Sequence, residues 1–153
     1  MKYIVILFAS FLTINTPSLF AQEQVTDEEL KKYAVTMDSI NDMKASLLEE
    51  IGDMVKANEG LTNARYNELS KIMNDEAKLT AAKATEEEIA FMKKVAEKKN
   101  EGTAAITQTL QTMAKEYVGA TSYNKVKKAL ATDTELKTKY QTMLAELDKG
   151  GVN

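Results

Sequence analysis

Apolar residues recur alternately three and four positions apart between residues 30 and 58, and this spacing limits the possible folds more than any other feature. It places an apolar stripe along one side of an α-helix, as in helices that pack against one another. The only proline is Pro17, so no later proline interrupts a long helix. The stripe residues are Leu30, Tyr33, Met37, Ile40, Lys44, Leu47, Ile51, Met54 and Asn58.

A second stripe follows in the other half of the chain, and its centre is less apolar. The segment Asn100-Glu101-Gly102 lies there and predicts a kink or a solvated gap. Alternating β-branched runs are absent after residue 21. We therefore predict an all-α fold, either a four-helix antiparallel bundle or two elongated helical hairpins. The second stripe comprises Ile89, Met92, Ala96, Lys99, Thr103, Ile106, Leu110, Met113 and Tyr117.

The two halves of the chain read alike, which predicts an internal duplication of a unit of roughly 58 residues. Residues 22–83 form the first unit and residues 84–149 the second. Each opens with a threonine followed by three acidic residues, at Thr26 and at Thr85, and Glu29 and Glu88 stand where a capping box requires them. A glycine then marks the expected end of each long helix, at residues 60 and 119.

Shorter helices are predicted after these glycines. Thr62 and Thr121 are their expected N-caps. Asp75 and Asp133 are expected to restart the helix after a local break. Only Thr85 marks the joint between the two units, because no glycine or proline lies between residues 61 and 101.

The first 21 residues have the layout of a secretory signal peptide. Lys2 precedes an apolar run from Tyr3 to Leu12, and cleavage is expected after Ala21. The run is short for a membrane-spanning helix, which needs ~20 apolar residues. An uncleaved anchor is the alternative. We expect an exported protein, periplasmic or secreted, with a disordered tail at residues 150–153.

The composition excludes several kinds of chemistry. The chain has no histidine and no cysteine, so the usual neutral-pH acid–base group, a thiolate nucleophile and nearly all zinc sites are missing. Its 20 basic and 23 acidic residues are interspersed and give a net charge of −3, which does not favour nucleic-acid binding. We expect no enzymatic activity, no metal and no cofactor.

Several short motifs have ordinary structural explanations. Ser122 and Lys125 fit the Ser-x-x-Lys nucleophile pattern, but the chain is too short for that enzyme fold. The acidic residues that follow Thr26 and Thr85 could hold Ca²⁺, although their place at helix starts explains them. Seven methionines follow residue 21; most should fill the core, and an adaptable groove for a peptide is the alternative.

If the chain has an interaction site, the turns after the long helices are where we expect it, because binding residues concentrate on loops. Tyr-Asn recurs just after each turn. The structural alternative is that the tyrosine packs beneath the loop. The candidate residues are Gly60, Thr62, Tyr66, Asn67, Gly119, Thr121, Tyr123 and Asn124.

The segments 26–34, 59–62 and 66–69, followed by an Asp and a Leu at positions 75 and 79, resemble the bacterial family called domain of unknown function 4168. The resemblance implies a signal peptide, a helical body and no established activity. The second unit keeps Gly119 but has Val118 and Ala120 around it where the first has Glu59 and Leu61. Two tandem copies depart from the usual single unit.

The sequence thus favours a non-enzymatic envelope protein that binds an unknown protein partner or itself through amphipathic helical faces. The alternative is a protein that associates with lipid at a membrane surface through the same stripes. Short lysine pairs such as Lys93-Lys94 favour that alternative weakly.

Overall fold

A computed structural model describes residues 24–150 of the chain. These residues form six α-helices and one π-helical turn, with no strand among them, which confirms the all-α prediction. The predicted signal peptide and residues 151–153 of the predicted tail lie outside the described residues. The elements are α1 (Asp27–Lys56), α2 (Asn63–Ile72), α3 (Glu76–Ala81), α4 (Glu86–Thr112), the π-turn (Met113–Tyr117), α5 (Ala120–Thr132) and α6 (Thr134–Gly150).

Both long helices begin at the predicted capping boxes. The Glu29 N–H donates to Thr26 Oγ1 at 3.2 Å, and the Thr26 N–H donates to Glu29 Oε2 at 2.9 Å. The same reciprocal pair joins Thr85 and Glu88, at 3.1 and 3.0 Å. Each box satisfies N–H groups that a helix start otherwise leaves without a partner.

The predicted caps of the shorter helices are correct at three positions. The hydroxyl of Thr62 accepts from the Arg65 N–H and caps α2. Asp75 and Asp133 accept from the N–H groups of Lys78 and Leu136 and restart the chain as α3 and α6. Each predicted shorter helix is therefore two helices.

Two other predicted caps are wrong. Gly60 does not end α1, because the helix stops at Lys56 and the N–H of Gly60 donates to the Asn58 side chain inside the turn. Thr121 does not cap α5, because Gly119 precedes that helix with φ +88, and α5 already begins at Ala120. A left-handed φ favours glycine, which explains why Gly119 occupies the position just before α5.

The apolar core contains two clusters, and each combines residues from both halves of the chain. In the first cluster Leu61, Leu69 and Leu79 of the first half surround Met92 of α4. In the second, Leu30 and Tyr33 of α1 pack against Val126 of α5 and against α6. Within the described chain, α2 and α3 make no contact with α5 and α6. The clusters are therefore separate, and the α1–α4 pair connects them.

The helices α1 and α4 pack antiparallel at their centres. Glu50 forms an ion pair with Lys98, and Leu47 lies against Gly102. A Cβ atom at position 102 would overlap the Leu47 side chain, so the glycine allows the two helices to approach closely. Gly102 therefore lies at a helix contact rather than at the solvated gap that we expected, and α4 continues through it without a break.

The buried stripe of α4 matches the predicted one at Met92 and Ile106, but between them it lies one residue away from the prediction. Ala96, Lys99 and Thr103 are exposed, whereas Val95 and Ile106 are buried, and Lys98 and Gly102 between them are half-buried. A strict alternation of three and four drifts relative to the 3.6 residues per turn of a straight helix. The close contact at Gly102 selects the register that is observed.

Candidate functional site

The structure places the two predicted interaction turns in different parts of the molecule. Tyr66 packs against the first core cluster, and Tyr123 packs against the second. Because the helices that carry them make no contact with each other, the turns do not combine into one site. Asn67 is exposed, and Asn124 donates from Nδ2 to the Ala120 carbonyl at 3.0 Å. Both tyrosines pack against the core, which agrees with the structural alternative to an interaction site.

Tyr123 belongs to a cluster of three tyrosines that joins the two halves. Its ring lies 5.1 Å from that of Tyr33, and the Tyr33 ring lies 5.8 Å from that of Tyr140, close to edge-on. Such pairs contribute packing energy beyond the area that they bury. Burial, reinforced by the two neighbouring rings, raises the pKa of Tyr33 to about 12.

The capping carboxylate of α1 is bound by two side chains of α5. Lys125 Nζ lies 2.7 Å from Glu29 Oε2, and Ser122 Oγ donates to Glu29 Oε1 at 2.7 Å. Hydrogen bonds from Lys125, from the Thr26 backbone and from Ser122 lower the pKa of Glu29 to about 2. One carboxylate thus caps a helix and ties the start of the first half to the second half.

The capping carboxylate of α4 lies in the second half and is bound by a side chain of the first half. Arg65 donates from Nε to Glu88 Oε1 at 2.7 Å and from Nη2 to Glu88 Oε2 at 2.9 Å. The same guanidinium donates to Glu68 at 2.8 Å and to the Ala82 carbonyl at 3.0 Å. The hydrogen bond from Arg65 is the main reason that the pKa of Glu88 is lowered to about 2.

These two reciprocal contacts were not predicted. The sequence indicated the capping role of each glutamate but gave no way to find a partner 93 residues away for Glu29 or 23 residues away for Glu88. One signal was present: Arg65 is the only arginine in the chain, and arginine suits a bidentate carboxylate contact better than lysine does. Ser122 and Lys125, noted for a nucleophile motif, are both engaged with Glu29.

An open groove with several apolar side chains lies between the centres of α1 and α4. We call it the central groove. It has a volume of about 240 Å³, and the Glu50–Lys98 ion pair lies among its walls. Close by in the chain, Leu48 is 70 % exposed, the most exposed large apolar side chain among the described residues. The groove is lined by Met43, Ser46, Leu47, Glu50, Lys98, Gly102, Ala105 and Ile106.

The described residues contain no group of three or more Asp, Glu, His or Cys side chains arranged to hold a metal ion. None of the helices in residues 24–150 combines the length and the apolar character needed to span a membrane. No family model, no curated protein and no solved structure matches the chain.

Proposed function

We propose that this chain is a non-enzymatic exported protein whose helical surface binds a protein partner, or further copies of itself, in the cell envelope. The central groove is the single observation that carries the proposal. Apolar side chains of Met43, Leu47 and Ile106 line it between the two longest helices, and Leu48 adds an exposed apolar side chain next to Leu47 in the sequence. Grooves between helices that offer apolar side chains are a recurring contact site for amphipathic segments of other proteins.

The polar residues support a binding protein rather than an enzyme. Ser122 donates its hydrogen bond to Glu29, and Lys125 is held in an ion pair with the same carboxylate. A Ser-Lys nucleophile would instead need the lysine to take the serine proton. With no histidine in the chain, the remaining polar side chains are better explained by helix capping and ion pairing.

We further propose that the chain arose by duplication of one helical unit, because its two halves read alike, and that this unit is the one that resembles domain of unknown function 4168. Each half has a long helix that begins at a capping box, followed by two helices of which the second restarts at an aspartate. Export rests on the signal-like first 21 residues.

Crosslinking in the intact host cell tests the binding function. A photoreactive residue at Ala105, on the wall of the central groove, should give adducts of discrete mass. The same residue at the exposed position of Lys137 on α6 is the matched control and should give none. Leu48→Asp, which changes an exposed side chain, should weaken the Ala105 adducts without lowering the melting temperature. Identical adducts from both positions, or none from either, would refute the proposal.

The membrane-surface alternative requires the apolar stripes to face lipid. Leu30, Ile40 and Met92 of those stripes are buried between helices in the described structure. Sedimentation with vesicles of anionic lipid distinguishes the alternatives. Binding that salt abolishes would favour the membrane function, whereas a protein that stays in the supernatant favours a protein partner.

A further inference from the structure

The two halves of the chain are joined by a turn of four residues, 82–85, which we call the hinge turn. It follows α3 and precedes α4. The Lys83 N–H donates to the Thr80 carbonyl, and the Ala84 N–H donates to the Leu79 carbonyl, both at 3.0 Å. This pair of bonds is the Schellman arrangement that ends many helices, and it places Lys83 in the left-handed region with φ +52.

The local sequence favours a helix where the structure has this turn. Residues 81–84 read Ala-Ala-Lys-Ala, all residues of high helix propensity, with no glycine or proline. A left-handed conformation is unfavourable for any residue with a Cβ atom, which is why glycine is usual at such a position. Local preference and tertiary structure therefore conflict at Lys83.

Besides its two Schellman bonds, the turn is held closed by a helix cap and by one contact from α2. Thr85 ends the preceding run by capping α4. The guanidinium of Arg65 donates to the Ala82 carbonyl, an acceptor that a continuous helix would instead offer to the N–H of residue 86. Beyond the Schellman bonds, closure thus depends on one cap and one arginine contact.

The contacts between the halves do not require both halves to belong to one molecule. Met92 lies among leucines of the first half, and Tyr33 lies among residues of the second. The ion pairs of Glu29 and Glu88 also cross between the halves. All of these would form equally well if the second half came from another copy of the chain.

We propose that the hinge turn opens into a continuous helix from α3 into α4 and that two copies of the chain then exchange halves. The first half of each copy packs on the second half of the other, through the same two clusters and the same ion pairs. The continuous helix, residues 76–112, is about 55 Å long. Exchange of identical elements is a low-cost route to a dimer, because the new interface is the former interior. This pairing uses interior faces, so it stands whether or not the central groove binds a partner.

Substitutions in the hinge turn test the exchange in the mature chain. Thr85→Ala removes a cap that only the closed form needs. A cap contributes a factor of about 5, so two caps should raise the dimerisation constant about 25-fold. Lys83→Gly removes the conformational conflict of the closed turn and should lower the dimer fraction. Light scattering after refolding over a range of protein concentrations gives the monomer and dimer masses.

A cysteine pair distinguishes exchange from surface association, because the chain has no cysteine of its own. Leu47→Cys and Gly102→Cys face each other between α1 and α4. In an exchanged dimer the disulfide joins two chains, and the covalent dimer survives denaturant. Dimers that separate in denaturant into monomers with an internal disulfide would overturn the proposal. So would a Thr85→Ala protein that stays monomeric at every concentration.

Discussion

At the scale of single residues, each of the two capping glutamates has two structural roles. Glu29 and Glu88 each cap their own long helix and also bind a cation from the other half of the chain. The capping role could be predicted, since it depends on residues three positions apart. The cation could not, because helical periodicity contains no information about which distant helix approaches a given residue.

Because the pKa values of Glu29 and Glu88 are lowered, the free energy of unfolding should depend on pH in the acidic range. Both are about 2 in the folded protein, against an ordinary value of 4.5. Between these values the unfolded chain binds protons that the folded chain does not, so the free energy of unfolding should fall as the pH drops from 4.5 towards 2. Above pH 4.5 this stabilisation is complete. Urea unfolding at a series of pH values measures the slope.

Glutamine provides the matched control for that titration. It keeps the reach-back hydrogen bond of a capping box but has no charge to titrate. The double variant Glu29→Gln, Glu88→Gln should be less stable at neutral pH and should lose less stability in acid. Part of the slope that remains would come from Glu50 and Asp75, whose pKa values are also lowered, chiefly by hydrogen bonds from lysine side chains. An unchanged slope in the double variant would show that the two contacts are absent in solution.

At the scale of the elements, the two long helices could be predicted because their stripes and caps are local. The register at the centre of α4 could not. Its observed stripe passes through Gly102, a residue that hydropathy ranks as neutral and that matters only because Leu47 lies against it. The position of a close helix contact depends on both partners, and the sequence pattern of one helix describes only one of them.

The centre of α4 is also polar for a structural reason that the sequence alone did not give. After the aspartate that starts it, α6 runs for 17 residues alongside α1, whereas α3 ends after 6. The chain turns at that point to begin the second half. The middle of α4 thus lacks the neighbour that α6 gives α1, and Ala96 and Lys99 remain exposed.

Two glycines in the long helices should respond in opposite ways to substitution. Gly52→Ala should stabilise the protein by about 0.5–1 kcal/mol, because a Cβ atom there meets nothing within 4 Å and alanine favours the helix. Gly102→Val should destabilise it by about 1–3 kcal/mol, because the new side chain overlaps Leu47. Thermal or urea unfolding measures both.

The Leu47 contact can be checked separately with a double-mutant cycle. In a Leu47→Ala background the overlap is removed, so Gly102→Val should cost much less than it does in the natural chain. If Gly102→Val costs the same in both backgrounds, the two helices do not meet at this point.

At the scale of the whole molecule, neither half of the chain buries its apolar surface alone. Each cluster takes residues from both halves, and the α1–α4 pair connects the clusters. The number of long helices could be predicted from the two apolar stripes and their capping boxes. The packing of each half against the other could not be predicted, because each half could bury the same amphipathic stripes by closing on itself.

Damage to one cluster should therefore destabilise the entire protein. Leu69→Ala, in the first cluster, should cost about 2–5 kcal/mol, because the side chain is fully buried. Leu48→Ala removes a similar side chain from an exposed position and should change the free energy of unfolding by less than about 0.5 kcal/mol. The tyrosine cluster in the other part of the molecule should report the same transition as circular dichroism. Two separate transitions would show that the halves fold independently.

Nuclear Overhauser contacts between side chains measure directly whether the two halves pack against each other. We expect cross-peaks between the rings of Tyr33 and Tyr123, and between the Met92 methyl group and the leucines of the first half, among them Leu69. Cross-peaks that join Tyr33 to Leu69, or Met92 to Val126, with none between the halves, would mean that each half closes on itself, and the fold described above would be contradicted.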